Sequence, residues 1–208
     1  MGIAERKERD KQEMYDKILH AATHMFLEEG YEKTSIRNIA EKIEYSPATI
    51  YLYFKDKDEL FCAIHDLGFQ KLLKEMEKVK KIKNPLKRLH EIGIIYIEFA
   101  LNNPEYYDLM FIIRAPINAM KEKQGDDPCW QMGQTTFILL METITECIEQ
   151  KLIKTQDPVV ASMYTWSSVH GLVSLKIRDR YEVMNLTDAQ LRKMLLQCLA
   201  ELIELMKA

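Results

Sequence analysis

Apolar residues recur every three or four positions along most of the chain, which is the spacing of helices that bury one face. The first such series begins at Met14 and stops before Gly30, a residue type that suits the left-handed end of a helix. Two short series follow, one after Thr34, which we predict to be an N-cap, and one after Ser46-Pro47. The pattern predicts an all-α protein of about nine helices and gives no convincing strand.

Polar residues followed by proline mark most of the later helix starts, because the first caps exposed N–H groups and proline fits the first turn. These pairs are Asn84-Pro85, Asn103-Pro104, Asp127-Pro128 and Asp157-Pro158. Capping boxes at 56–59 and 187–190 open two further helices, of which the first is expected to continue to about Lys80. Residues 114–126 are predicted to form a mobile loop. Short helices before Asp56 and longer ones after it predict two domains, residues 1–55 and 56–208.

The composition is that of an ordinary folded protein and excludes a largely disordered chain. Of 208 residues, 47% are hydrophobic and 29% are charged, which is enough for a sizeable core. The formal net charge is -3, and residues 1–57 contain ten Lys or Arg against eleven Asp or Glu. Because nucleic-acid-binding domains are often basic, any DNA-binding surface here must be a local patch.

Two features predict a soluble cytoplasmic protein with no membrane partner. The N-terminus is charged, and the most apolar run, residues 92–101, is too short to cross a bilayer and includes Glu98. The four cysteines are widely separated and form no CxxC pair: they are Cys62, Cys129, Cys147 and Cys198. We therefore expect reduced thiols, with neither a disulfide framework nor a zinc site.

The segment 34–54 has the dimensions of a helix-turn-helix, although the spacing alone equally suits internal packing in an all-α protein. In its second helix Ile50 and Phe54 are expected to face inward. The outward residues are small or aromatic, namely Ala48, Thr49, Leu52 and Tyr53. Such a surface can enter a major groove, and nearby cations can neutralise phosphates. These cations are Lys33, Arg37, Lys42, Lys55 and Lys57.

A longer pattern surrounds this segment: Ile18-Leu19-x-Ala21-Ala22, Phe26, Gly30-Tyr31, Thr34-Ser35-Ile36, Ile39-Ala40, Ser46-Pro47-Ala48-Thr49-Ile50-Tyr51-x-Tyr53-Phe54-Lys55, Lys57 and Leu60. In order and spacing, residues 14–61 resemble the DNA-binding head of TetR-family transcriptional repressors. The resemblance implies a three-helix head on an all-helical ligand-binding body, working as a homodimer. It predicts phosphate contacts at Lys55 and Tyr51 and base-edge contacts at Ala48, Thr49 and Tyr53. The full set of predicted DNA-binding residues is Thr34, Ser35, Arg37, Ser46, Ala48, Thr49, Tyr51, Tyr53 and Lys55.

The turn departs from the family pattern, which usually has glycine and then valine where this chain has Glu44 and Tyr45. If the backbone there needs a positive φ, a residue other than glycine costs roughly 1 kcal/mol. Glu44 also adds negative charge near the groove. We therefore expect modest DNA affinity or an altered docking angle.

The body after Asp56 is rich in methionine and aromatic residues at helical spacings, which suit either a core or an apolar ligand pocket. The resemblance implies such a pocket. The predicted ligand-binding residues are Phe69, Tyr107, Met110, Phe111, Phe137, Met141, Trp166 and His170. For His170, a structural hydrogen bond is the other interpretation.

The stretch from Trp166 to Val173 resembles the Trp-x-x-x-His-Gly sequence of one C-terminal subclass of the family. Small residues recur there at helical spacing, so that another helix can approach closely, and the last helix has one apolar side. The predicted dimer-interface residues are Ser167, Gly171, Ser174, Leu191, Leu195, Cys198 and Leu202. The alternative is that both helices only close the core of one chain.

Other chemistry is weakly supported. His20, His24 and Glu28 share a helix face, but without further ligands we do not predict a metal site. We find no catalytic motif around these histidines or His170, so an all-α enzyme is disfavoured. The sequence predicts a repressor that binds a palindromic operator in double-stranded DNA and is released by a small, largely apolar effector, with no cofactor. The alternative is a small-molecule-binding or sequestering protein with a vestigial head.

Overall fold

A computed structural model describes residues 2–113 and 128–208, with the backbone alone for residues 3 and 128–130. Nine α-helices lie in these ranges: α1 (Ile3–Glu28), α2 (Ile36–Lys42), α3 (Pro47–Tyr51), α4 (Lys57–Met76), α5 (Pro85–Asn102), α6 (Pro104–Phe111), α7 (Pro128–Glu149), α8 (Pro158–Ile177) and α9 (Asp188–Met206). Two 3₁₀ turns, Glu77–Lys81 and Glu182–Met184, follow α4 and α8. The prediction of an all-α fold with about nine helices is confirmed, and the loop predicted at 114–126 lies outside the described residues.

The cap signals place most helix ends correctly. Asn84 accepts a hydrogen bond from the Lys87 N–H at 2.9 Å, and Asp157 accepts from the first N–H groups of α8. Thr187 and Gln190 form the expected capping box before α9. Gly30 ends the first helical segment with a φ of 85°. Proline stands at the first position of α3, α5, α6, α7 and α8.

Two helix starts differ from the expectation. Ser35, and not Thr34, caps α2, because the Ser35 hydroxyl accepts from the Asn38 N–H at 3.2 Å. Helix α1 begins at Ile3, eleven residues before the apolar series. Its first turns carry i,i+4 ion pairs, which stabilise this part of the helix although it buries no side chain.

The chain forms two compact units, Met1–Gly68 with Glu105–Gln131, and Phe69–Pro104 with Met132–Ala208. Helix α4 therefore begins in the first unit and continues in the second. The predicted domains, 1–55 and 56–208, divide the chain elsewhere and stay a prediction.

The first unit has an apolar core built from α1 to α4 and α6. Its fully buried side chains come from each of the first four helices: Ile18, Phe26, Ile39, Ile50 and Leu60. Tyr31, after α1, is tied to the start of α4, because its hydroxyl donates to Asp58 while the Lys57 ammonium donates to its carbonyl at 2.8 Å. Burial and this carboxylate raise the pKa of Tyr31. The three helices of the head are thus fixed to one another and to α4.

The second unit is centred on α5, which packs against α8 and α9. Gly93 of α5 permits close approach, since a Cβ there would lie 2.6 Å from a methyl carbon of Leu199 in α9. On the same helix Arg88 lies 2.5 Å from the Glu146 carboxylate and donates to Thr143 and to the Ile82 carbonyl. A small residue and an ion-paired arginine therefore join the helices of this unit.

The cysteines correct one expectation. Cys62 in α4 is disulfide-bonded, whereas Cys147 and Cys198 are free thiols. Among the described residues, no helix has both the length and the apolar character that crossing a membrane requires.

Candidate nucleic-acid interface

The turn between α2 and α3 adopts a Schellman motif, the hydrogen-bonding pattern that ends many helices in a left-handed residue. The Tyr45 N–H donates to the Ala40 carbonyl at 2.9 Å, and the Glu44 N–H donates to the Glu41 carbonyl at 3.1 Å. Glu44 occupies the left-handed position with a φ of 62°. The turn thus has the positive φ considered in the sequence analysis, and the residue that adopts it is a glutamate.

Helix α3 is anchored by its inner side and offers its outer side to solvent. Ile50 and Phe54 are buried, as expected. Ser46 and Ala48 are exposed, and Thr49 is half-buried with its hydroxyl 3.2 Å from that of Ser46. Tyr51 is 56% exposed and Leu52 is 81% exposed. The outer side therefore presents small residues at the start of this short helix and large apolar side chains at its end.

The predicted contacts around α3 occupy three different settings. Arg37 and Lys55 are exposed, and each lies near a carboxylate. Arg37 is 3.5 Å from Glu41, and Lys55 is 3.8 Å from Asp56. Ser35 is half-buried as the cap of α2. Thr34 is only 1% exposed, and its hydroxyl donates to carbonyls of α1 and Gly30. That burial removes the Thr34 side chain from the candidate DNA surface.

Tyr53 connects the outer surface to α1. It is half-buried, and its ring lies 6.4 Å from that of Tyr15, which also stacks on Phe54 at 5.1 Å. Burial and neighbouring carboxylates raise the pKa of Tyr15. The end of α3 is therefore supported by a tyrosine that belongs to the apolar series of α1.

Replacement of Glu44 separates backbone strain from charge. We expect Glu44→Gly to raise the free energy of unfolding by about 0.5–1 kcal/mol, because glycine adopts a positive φ without strain but is more flexible when unfolded. Glu44→Gln keeps the strain and should leave stability unchanged. Both variants should bind DNA more tightly than the wild type, since each removes a negative charge near the groove. Urea unfolding and DNA titration check this, and equal stabilisation by glutamine would contradict it.

An open concavity lies on the head. This open pocket of about 500 Å³ is lined by Lys17, His20, Ala21, His24, Glu28, Lys42, Ile43 and Glu44. The His24 ring nitrogens each lie 3.9 Å from a carboxylate, of Glu28 and of Glu105. Within the described ranges, no group of three or more His, Cys, Asp or Glu side chains is placed to hold a metal ion.

The eight predicted ligand-binding residues divide between the two units. Tyr107, Met110 and Phe111 lie in the first unit; Tyr107 and Met110 are buried, and the Tyr107 and Phe111 rings are 5.5 Å apart. The second unit contains Phe69, Phe137, Met141, Trp166 and His170. Phe69 is buried beside Gly133, whose Cβ would lie 3.2 Å from the ring. A common pocket for these residues stays a prediction.

Three of the predicted ligand residues form an aromatic group with Tyr96. Trp166 lies between Phe137 and His170, with ring centroids 6.1 and 6.0 Å away. The Tyr96 hydroxyl lies 2.9 Å from His170 Nδ1 and accepts from the Trp166 indole N–H at 3.3 Å. The direction of the hydrogen bond between Tyr96 and His170 depends on which imidazole nitrogen carries the proton. Tyr96 is the member of the group that the sequence analysis did not select.

Acid is expected to destabilise the protein through His170. Burial, with a smaller contribution from Arg178, lowers the pKa of His170 below its ordinary value of about 6.5. The unfolded chain therefore binds the proton first, and the free energy of unfolding should fall as pH drops below about 6.5, until the folded pKa is passed. His170→Asn should remove this part of the decline in urea unfolding at pH 5–8. His20→Asn, at an exposed site, is the control, and an unchanged slope in His170→Asn would contradict the assignment.

The predicted dimer residues separate into inner and outer positions. Leu191, Leu195 and Leu202 are buried within the single chain, which corrects their assignment to the interface: they lie on the side of α9 that packs inside its own unit. Cys198 and Ser167 are exposed, and Gly171 and Ser174 are half-buried. A Cβ on Gly171 would meet no atom within 4 Å.

Exposed apolar side chains accompany these outer positions. On α8 and α9 they are Val159, Val160, Met163, Tyr164, Trp166, Leu175, Met194 and Leu205. Met194, Cys198 and Leu205 share one side of α9 by helical spacing, a signal that was readable in the sequence but was hidden beside the longer leucine series. An apolar surface thus covers parts of both C-terminal helices.

Two family profiles match the chain. Residues 18–64 match the one described as bacterial regulatory proteins, tetR family, and residues 89–198 match tetracyclin repressor-like, C-terminal domain. The transcriptional regulator AcrR of Shigella flexneri is 29% identical over 159 residues, which is 73% of this chain and 72% of AcrR. QacR of Staphylococcus aureus is 33% identical over 94 residues, or 45% of this chain and 48% of QacR.

Solved structures show the same fold. The TetR-family regulator PfmR from Thermus thermophilus has a TM-score of 0.68 at 19% identity, over 89% of this chain and 96% of PfmR. AibR, solved in complex with isovaleryl coenzyme A and operator DNA, has a TM-score of 0.65 at 22% identity, over 88% of this chain and 95% of AibR. With both profiles matched in order, this chain belongs to the TetR family of helix-turn-helix transcriptional regulators.

Proposed function

We propose that this protein is a homodimeric repressor that leaves a palindromic operator in double-stranded DNA when a small, largely apolar effector binds. The exposed side of α3 carries the proposal. A solvent-facing helix usually shows charged residues, yet here Ala48, Tyr51 and Leu52 face outward. Such side chains fit the major groove, where they can meet thymine methyl groups and base edges.

The apolar surface of α8 and α9 supports the dimer. Met163 and Tyr164 on α8, and Leu205 on α9, are each at least half exposed in the single chain. Exposed apolar side chains of this kind favour association, and the small residues Ser167 and Gly171 allow a second helix close approach. Two heads related by a two-fold axis would read half-sites about one helical turn apart.

The aromatic group around Trp166 supports the proposed binding of an effector. Trp166 is 39% exposed beside the half-buried His170, so a ligand can reach apolar ring surface and a polar edge in one place. An effector releases DNA only if it binds the released conformation more tightly than the DNA-bound one. In this proposal the protein acts by binding alone, without catalysis or a cofactor, in the bacterial cytoplasm where the DNA is.

Selection of bound duplexes from a randomised DNA library, at two salt concentrations, tests the proposal. We expect enrichment of a palindrome and an affinity that falls steeply as salt rises. Candidate effectors are then scored by their ability to release the selected duplex. Failure to enrich any sequence at either salt concentration would reject the operator and favour a small-molecule-binding protein with a vestigial head.

A further inference from the structure

Helix α1 extends well beyond the core of its unit. It begins at Ile3, and its first buried side chain is Ile18. Residues 4–13, which we call the α1 overhang, are all exposed. At 1.5 Å per residue the helix rises about 18 Å between Ile3 and Tyr15. A projection of this length buries nothing inside its own chain, so its side chains are available to a partner.

Ion pairs join the charged residues on one side of the α1 overhang. Arg6 lies 3.9 Å from Asp10, and Arg9 lies 3.4 Å from Glu13. By helical spacing these residues lie on the side opposite Tyr15. Lys7 and Lys11 stand two turns and one turn before Tyr15, on its side of the helix. For these two lysines no ion pair is found in the part of the chain that the structure describes. The overhang has four cations and four anions, but two of its cations stand apart from the ion-pair network.

The side that carries these lysines is the side on which α3 lies. Tyr15 contacts the rings of Tyr53 and Phe54 at the end of α3. Lys7 and Lys11 therefore lie beyond the head, on the same side of α1 as the end of α3. Lys55, exposed and just after α3, adds a third cation in this region.

We propose that the α1 overhang binds the DNA backbone beside the groove that α3 enters, with Lys7 and Lys11 at phosphates. The inference rests on the DNA binding of the family and extends the interface by a segment outside the matched residues 18–64. Lysine suits this task, because a mobile point charge neutralises phosphate without reading sequence. Glu5 and Glu8 lie on the same side by helical spacing and oppose the attraction.

The double variant Lys7→Gln/Lys11→Gln tests the proposal on the selected operator. Glutamine has nearly the helix propensity of lysine, so α1 should stay intact by circular dichroism. Removing two phosphate contacts should lower the slope of log affinity against log salt by about 1.8 per protomer. Near 0.1 M salt the affinity should fall roughly tenfold or more, alike for operator and unrelated duplexes. The selected sequence itself should not change.

Arg6→Gln/Arg9→Gln is the matched control, since it removes the same charge from the same helix but from the ion-paired side. It should change the salt slope much less, and Glu8→Gln should tighten binding. Equal losses in both double variants, or no loss in Lys7→Gln/Lys11→Gln, would overturn the proposal. These results are distinct from failure of the proposed function, in which the unmodified protein binds no duplex specifically.

Discussion

Replacing Ala48 with glutamate is expected to weaken operator binding at least about 100-fold, because a carboxylate would then face the phosphates and base edges of the major groove. Ala48 is exposed at the second position of α3, so the longer side chain fits the free protein without displacing anything. A negative charge in the first turn of a helix is favourable, and stability should be unchanged or slightly higher. Loss of DNA binding would therefore report the interface and not the fold.

Ala189 supplies a matched control for this substitution. It is exposed and stands at the second position of α9, as Ala48 does in α3. Ala189→Glu adds the same charge in the same helical setting, outside the DNA-binding head. Titration of the selected duplex should give near wild-type affinity for Ala189→Glu. Similar affinities for the two variants would place the DNA-binding surface elsewhere than on α3.

Truncating Leu199 to alanine is expected to lower the free energy of unfolding by about 2–5 kcal/mol. Leu199 is fully buried, and a Cβ on Gly93 would lie 2.6 and 2.8 Å from its two terminal carbons. The change leaves a cavity at the closest approach of α5 and α9. Urea unfolding, followed by the far-ultraviolet helix signal, measures the loss.

Gly93→Ala tests the same contact from the other helix. In the wild-type background the added methyl group should displace Leu199 at a cost of about 1–3 kcal/mol. In the Leu199→Ala background it should be neutral or stabilising, because the space is free and alanine favours helix over glycine by about 1 kcal/mol. The two changes should thus be strongly coupled. Additive effects would show that Leu199 does not pack on Gly93 in solution.

Caps and hydrophobic spacing predicted the helices because both signals act over one turn. Asn84, Asp157 and Thr187 each satisfy N–H groups three residues or fewer away, so the sequence contains the whole interaction. Thr34 and Ser35 show the limit of this reasoning. Either hydroxyl suits a cap, and the choice is made by the distant Met25 carbonyl, to which Thr34 donates.

Left-handed helix ends were harder to find. Gly30 gave its usual signal, but Glu44, Lys151 and Asp179 also adopt a positive φ. At these three positions the hydrogen bonds that close α2, α7 and α8 impose the conformation on a residue with a side chain. Glu44 was suspected only because the family has glycine there.

The outward surface of α3 was predictable because the buried Ile50 and Phe54 fix which side faces solvent. The two sides of α9 were not distinguished in the same way. Apolar residues occur on both, and only the packing of α5 and α8 decides that Leu195 is inside and Met194 outside.

Gly171 is a position where the single subunit makes no demand for glycine. A methyl group would meet open space there, and in the middle of α8 glycine lowers helix stability by about 1 kcal/mol relative to alanine. A subunit optimised for its own stability would favour alanine at this position. Glycine at this position indicates that the requirement for a small residue comes from outside the subunit. The stability of the monomer alone is therefore the wrong criterion for redesigning this helix.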